Sequence, residues 1–240
     1  MFSFFNKRKS LIGNPLHTDI HSHLLAAIDD GVKNWAEAET VMRDFIELGF
    51  KKIIATPHIM SDTYPNKPDE IIQKYQELKK IIELRGIPMD VQAAAEYYLD
   101  ENLFAQIKNK EPLLTFGDRY LLFETNFVSE PLQLKEFIFQ ATSQGYRLVL
   151  AHPERYGYMT MAKAEDLRNR GVLFQLNTLS IVGYYSSPIQ KMARLLIEKG
   201  WVDFLGSDCH NPLQALALKQ AWSNKYVQRA LSLPLLNNTI

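Results

Sequence analysis

The 240-residue chain contains one cysteine, Cys209, so no intramolecular disulfide can brace it and stability must come from burial. That usage fits a reducing, cytoplasmic setting. No apolar run approaches the roughly 20 residues that a membrane-spanning helix needs. Neither sign of charge is in excess, 27 Lys and Arg balancing 27 Asp and Glu. Nucleic-acid binders take much of their affinity from phosphate contacts and usually carry a basic surplus, so no nucleic-acid partner is expected. Two phosphate-handling signatures are also missing. There is no G-x-x-x-x-G-K-[ST] loop, which disfavours an NTPase. Six residues after Cys209 stands Ala215, not the arginine a cysteine-dependent phosphatase requires, so the thiol reads as a small buried group.

A secretory signal is not evident either. In Met1-Phe2-Ser3-Phe4-Phe5-Asn6-Lys7-Arg8-Lys9 the apolar residues precede the basic ones, the reverse of a signal peptide. Residues 1–16 are expected to form a flexible tail, with weak contact to an anionic membrane surface as its one candidate role. Residues 17–240 are expected to form a single domain.

Within that stretch, short apolar runs alternate with amphipathic ones. Strands are expected at 18–21, 52–56, 90–95, 120–125, 148–151, 172–177 and 203–207. Helical patterns fill 34–48, 68–84, 131–143, 162–169 and 188–198, each closed by a glycine shortly before the next strand. Repeated β-α units imply parallel pairing with helical crossovers. A barrel of the TIM type accounts for this alternation; a doubly wound open sheet is the alternative.

The sequence has six histidines, and five of them, His21, His23, His58, His152 and His210, fall where an expected strand ends. Glu96, Glu124 and Asp208 occupy equivalent positions on other strands. In a β/α barrel all such ends converge on one face, so residues scattered through the sequence would meet there. Several carboxylates in one mouth would repel each other without cations, and the mixture of imidazole and carboxylate suits divalent metals. Asp29-Asp30-Gly31, taken alone, reads as a turn feeding a helix cap. His17, at the start of the first strand, reads as structural.

Taken together, His17-Thr18-Asp19-Ile20-His21-Ser22-His23, Asp29-Asp30-Gly31, Ala55-Thr56-Pro57-His58, Glu96, Glu124, Ala151-His152-Pro153-Glu154-Arg155-Tyr156 and Ser207-Asp208-Cys209-His210-Asn211 resemble the polymerase-and-histidinol-phosphatase (PHP) superfamily. Within it the chain is most similar to the CpsB-like bacterial tyrosine phosphatases of capsule and exopolysaccharide biosynthesis. The resemblance runs in order from about residue 17 to 212. It implies a distorted (β/α)7 barrel, the PHP fold, holding three divalent ions (manganese, iron or zinc, manganese being the first choice). One ion would take His21, His23, Glu96 and Asp208. A second would share Glu96 and take Glu124 and His152. A third would take Asp30, His58 and His210. Asp19 would lie behind the histidines and orient an imidazole. Arg155 would bind substrate phosphate, and Asp30 or Glu154 would protonate the leaving group. The implied substrate is the phosphotyrosine tail of a membrane-associated bacterial tyrosine kinase. A histidinol-phosphatase-type enzyme, a PHP nuclease and a non-catalytic metal-binding regulator are the alternatives. Two departures from the family pattern stand out. Ala26-Ala27 replaces Pro-Gly, and no arginine follows His210 closely, which leaves Lys219 as a candidate replacement.

Overall fold

A computed structural model of the chain describes residues 15–240. The expected tail and its membrane contact fall outside those residues, except that Leu16 is buried in the main core. In chain order the elements are β1 (Thr18–Ser22), α1 (Trp35–Leu48), β2 (Lys52–Ala55), β3 (His58–Ile59), α2 (Pro68–Arg85), β4 (Asp90–Ala93), β5 (Glu96–Tyr98), α3 (Glu101–Lys108) and β6 (Tyr120–Glu124). There follow α4 (Leu134–Ser143), β7 (Arg147–Ala151), α5 (Met161–Asn169), β8 (Leu173–Asn177), α6 (Thr178–Val182), α7 (Ser187–Lys199), β9 (Phe204–Gly206), α8 (Pro212–Ala221) and α9 (Lys225–Leu231).

The helices obey local rules. Asn34 caps α1 by accepting from Glu37 N, and Gly49 ends it in a left-handed conformation. The buried face of α1, Ala38, Val41, Met42 and Phe45, has the spacing that turns one stripe toward the sheet. Ser186 and Gly200 do the same work for α7.

Every strand pairing is parallel, in the orders β1-β2-β4 and β3-β5-β6-β7-β8-β9. The two orders are one set of seven staves. β2 runs into β3 and β4 into β5, with breaks at Thr56-Pro57 and Ala94-Ala95. Proline has no N–H to give a ladder, which interrupts the first stave. Hydrogen bonds from Ala94 N to Ala55 O and from Glu96 N to Pro57 O carry the pairing across both breaks. The first and last staves are neighbours. Asp208 N donates to His21 O and His23 N to Cys209 O at one end of the seam. At the other end buried Asn237 accepts from Leu205 N and donates to both Thr18 O and Leu205 O. This adjacency of first and last staves is what a distorted barrel predicts and what a doubly wound sheet does not.

One apolar cluster draws Ile20, Ile54, Leu122, Val149 and Phe204 from five different strands, which can meet only inside the ring. Phe116, Leu236 and Ile240 close it from below. Strand β1 carries one residue more than its partner between Asp19 and Ser22. This bulge lets the consecutive residues Ile20 and His21 both serve the interior, where strict alternation would have sent one of them out.

Candidate metal centre

Above that plug the same staves end in charged groups. Glu96 sits at the middle. Its Oε2 lies 3.2 Å from His21 Nε2, 3.4 Å from His23 Nε2 and 3.1 Å from His58 Nδ1. Its Oε1 lies 3.1 Å from His152 Nε2. Glu124 reaches His58 Nδ1 at 3.1 Å and His152 Nε2 at 3.8 Å. Asp208 Oδ1 stands 3.4 Å from the Nε2 atoms of both His21 and His23. Asp30 Oδ1 is 3.6 Å from His58 Nε2 and 3.5 Å from His210 Nε2. All nine residues proposed as ligands from the sequence are therefore in one cluster. Their donor atoms form three overlapping groups: His21, His23 and Asp208; His58, Glu96 and Glu124; and His23, Asp30, His58 and His210.

The donor set fits divalent cations. His58 Nδ1 and Glu96 Oε2 are buried and 3.1 Å apart, yet neither has a hydrogen-bond partner. Buried polar atoms are nearly always satisfied, so two that face each other unbonded mark a place for a further partner. Burial alone would lower the pKa of His21, but the Glu96 and Asp208 carboxylates outweigh it and hold it up to about 9.

Behind the donors, other groups fix the rings. Asp29 Oδ2 lies 2.7 Å from His23 Nδ1 and also accepts from His58 N, while Oδ1 accepts from Gly31 N. Burial opposes ionisation of Asp29, yet His23 draws its pKa down to about 2. A side chain at Gly31 would come within 2.3 Å of His23 O, so only glycine fits there. Gln175 Oε1 lies 2.7 Å from His21 Nδ1. His152 and Asp208 both adopt left-handed backbone conformations, with φ of 35° and 49°, which aim their side chains back over the ring.

Three expectations need correction. Asp19 does not orient an imidazole: its carboxylate accepts from Ser207 N and Oγ and ties β1 to the loop carrying Asp208. Burial lifts its pKa to about 7. Asp29 and Gln175 hold the imidazoles instead. Asp29 reads in the sequence as half of a turn; Gln175 carries no signal beyond being a polar side chain in a largely apolar strand. Second, Glu154 does not line the mouth. It is buried behind it and accepts from Asn177 N. Asp30, the other candidate acid, does line the mouth. The hydrogen bond from His210 holds its pKa below the ordinary value, so it is ionised at neutral pH. Third, Lys219 is engaged by Asp44 and Glu47 of α1, at 2.8 and 2.6 Å.

The mouth is a cavity of about 360 Å³ whose lining includes Asp30, Tyr64, Glu124, Phe127 and Arg155. Tyr64 stacks on His58 and Phe127 on His152. Arg155 donates from Nη1 to Asp208 Oδ2 at 2.9 Å. Its guanidinium carbon lies 4.8 Å from the Phe127 ring centre and 4.7 Å from that of Tyr185. Tyr156, whose hydroxyl bonds Ala151 O, packs rather than lines. Burial pushes the Cys209 thiol up, away from nucleophilic use. Ala27, in the Pro-Gly position of the resemblance, has a φ of 57°, a conformation glycine takes without strain.

A family model described as "Capsular polysaccharide synthesis, CpsB/CapC" matches residues 17–231. The chain belongs to the CpsB/CapC family. It is 27% identical over 195 residues to the tyrosine-protein phosphatase YwqE of Bacillus subtilis, covering 80% of this chain and 77% of that one. A crystal structure described under YwqE of B. subtilis and CpsB of Streptococcus pneumoniae, metal-dependent tyrosine phosphatases, superposes with a TM-score of 0.77 at 26% identity over 90% of each chain. A histidinol phosphate phosphatase of Lactococcus lactis has a TM-score of 0.52 at 12% identity, covering 89% of this chain and 93% of that one, which shows a shared fold alone. Among the described residues no helix is long and apolar enough to cross a membrane.

Proposed function

We propose that the chain is a metal-dependent protein-tyrosine phosphatase acting on the phosphorylated tyrosine tail of a bacterial kinase that controls polysaccharide export. The observation that carries this reading is the single cluster of five histidines and four acids around Glu96 at a mouth that also presents Arg155. Three ions are proposed. His21, His23, Glu96 and Asp208 would hold one, Glu96, Glu124 and His152 a second, and Asp30, His58 and His210 a third. His23 also lies within reach of the third group and His58 within reach of the second. Bound there, divalent cations supply activated water near neutral pH and neutralise charge on the phosphoryl oxygens.

The chain's own residues do the rest. Arg155 has its Nη1 anchored on Asp208 and its plane flanked by two rings, which leaves a pre-oriented fork for phosphate oxygens. Tyr64 and Phe127 give the mouth aromatic walls beside the donors. Asp30 is ionised and Glu154 lies behind the wall, so neither is placed to protonate a leaving group. A phenolate, whose conjugate acid titrates near pH ~10, needs that help least. This favours phosphotyrosine over an alkyl phosphate such as histidinol phosphate.

The test compares turnover of a phosphotyrosine peptide with that of histidinol phosphate, with manganese and then with chelator. Metal-dependent preference for the peptide is expected. Preference for histidinol phosphate would select the small-molecule reading, and no turnover of either would select a non-catalytic role.

A further inference from the structure

Strand β8 carries two buried amides, Gln175 and Asn177, two residues apart and therefore on the same face. Neither belongs to the donor cluster, yet both touch it. Asn177 Nδ2 donates to Asp208 Oδ2 at 2.7 Å. Gln175 Nε2 donates to Asn177 Oδ1 at 2.8 Å. Gln175 Oε1 lies 2.7 Å from His21 Nδ1 and accepts from His152 N at 3.3 Å.

The polarity of this chain of bonds is determined by its ends. A carboxylate that also pairs with Arg155 can only accept, so Asn177 must turn its NH₂ toward Asp208. The Asn177 oxygen then faces Gln175, which must offer its own NH₂ there and its oxygen to His21. His21 Nδ1 is thereby the protonated nitrogen. Its Nε2 lone pair is left pointing toward Glu96, His23 and Asp208. At the far end Asp208 Oδ2 is occupied by Asn177 and Arg155, so Oδ1 is the oxygen turned to the histidines. The space is shaped for this arrangement. A side chain at Gly206 would stand 2.6 Å from Gln175 Nε2 and 2.8 Å from His21 Cβ.

We propose that Gln175 and Asn177 are paired positioning residues, which set the His21 tautomer and the Asp208 oxygen for metal binding through one directional relay. The proposal rests on the metal-dependent reading above. Groups that orient a metal-binding imidazole typically change affinity or activity by about 10- to 100-fold when removed.

The test uses the full chain, stripped with chelator and titrated with manganese in a calorimeter. Gln175→Met keeps the length and removes the acceptor; Asn177→Leu removes the donor to Asp208. Each is expected to weaken manganese binding about 10- to 100-fold. In the same proteins kcat on a phosphotyrosine peptide should fall while KM stays near that of the unaltered enzyme. Gln175→Glu restores an acceptor for His21 but loses the donor to Asn177 Oδ1, and is expected to recover part of the affinity lost in Gln175→Met. Phe174→Leu, on the outward face of the same strand, reports what loosening β8 does alone; it should lower thermal stability and leave the affinity unchanged. If Gln175→Met does not fold, Gln175→Glu and Asn177→Leu carry the comparison. Wild-type affinity in Gln175→Met or Asn177→Leu would overturn the proposal, as would Gln175→Glu binding as weakly as Gln175→Met. An unaltered chain that bound none of manganese, iron and zinc would instead sink the metal-dependent reading and this inference with it.

Discussion

The two ends of the ring interior are built on the same strands from opposite materials. Below, Ile20, Ile54, Ala94, Leu122, Val149 and Phe204 share one apolar cluster with the plug of Phe116, Leu236 and Ile240. Two residues past Ala94 and Leu122, on the same faces, stand Glu96 and Glu124. The lower end is cohesive by itself, because apolar contact needs no particular partner. The upper end is held by direction: Asp29, Gln175, Asn177 and Asp19 each bond a specific atom of the donor cluster or of its loop. The comparison teaches that stability and chemistry occupy separate levels of one barrel, a few ångströms apart.

The sharpest way to break that comparison is Glu96→Gln. It keeps the shape of the central group and removes its charge, and should lower kcat/KM on a phosphotyrosine peptide by on the order of 10³-fold, with the circular dichroism spectrum retained. Loss of the folded spectrum would mean that the two levels are not separate. Phe204→Ala tests the other end. A large buried side chain replaced by alanine costs about 3–5 kcal/mol. The midpoint of thermal unfolding should drop by roughly 10 °C or more, while the folded fraction keeps its kcat.

A third measurement follows the charge on His21. Its folded pKa is raised to about 9 from the ordinary 6.5, because the Glu96 and Asp208 carboxylates outweigh burial, so the metal-free protein binds this proton more tightly than the unfolded chain does. That stabilisation is fully present below pH 6.5 and lost as pH rises through about 9. Metal-free protein should therefore lose stability over this window, on the order of 3 kcal/mol before allowing for the neighbouring charges. Manganese-loaded protein should lose less, since His21 would already be neutral. Equal pH curves for the two forms would show that His21 does not titrate on loading.

Smaller effects sharpen the picture. Arg155→Lys keeps the charge but not the fork, and should raise KM for the phosphopeptide about tenfold. An unchanged KM would remove Arg155 from phosphate binding. Ala27→Gly should stabilise the protein by about 1 kcal/mol, relieving a left-handed residue far from the plug. No gain in the unfolding midpoint would show that the loop before Asp30 carries no strain.

Much of this arrangement is legible in the sequence. The strand-end positions of His21, His58, Glu96, Glu124, His152 and Asp208 follow from periodicity and breaker residues, which are local signals. What was missed depends on neighbours distant in the chain. Asp29 and Gln175 act through His23 and His21, partners that the sequence around either residue does not reveal. Glu154 adjoins Arg155 in sequence, yet the short turn at Pro153–Arg155 sends the two side chains to opposite sides of the wall. Lys219 lies on α8, whose pattern had not been read as a helix, and its partners on α1 are 175 and 172 residues away. The split of two staves into β2–β3 and β4–β5 was half hidden: the expected strand 52–56 stops at Pro57 with no sign of the short continuation beyond it, and Ala94-Ala95 carries the apolar run of the other stave across its break.

Asn237 bonds Thr18 across 219 positions and so buckles the first stave to the last. A nascent chain still attached to the ribosome presents β1 long before its clasp has been synthesised. Until then His21 and His23 lack the neighbours that Asp208 and His210 provide. A site that draws on both pairs is accordingly assembled only with the last stave, and a truncation just short of Asn237 would unbuckle the lower end of the seam while leaving the Asp208–His21 and His23–Cys209 bonds at its upper end.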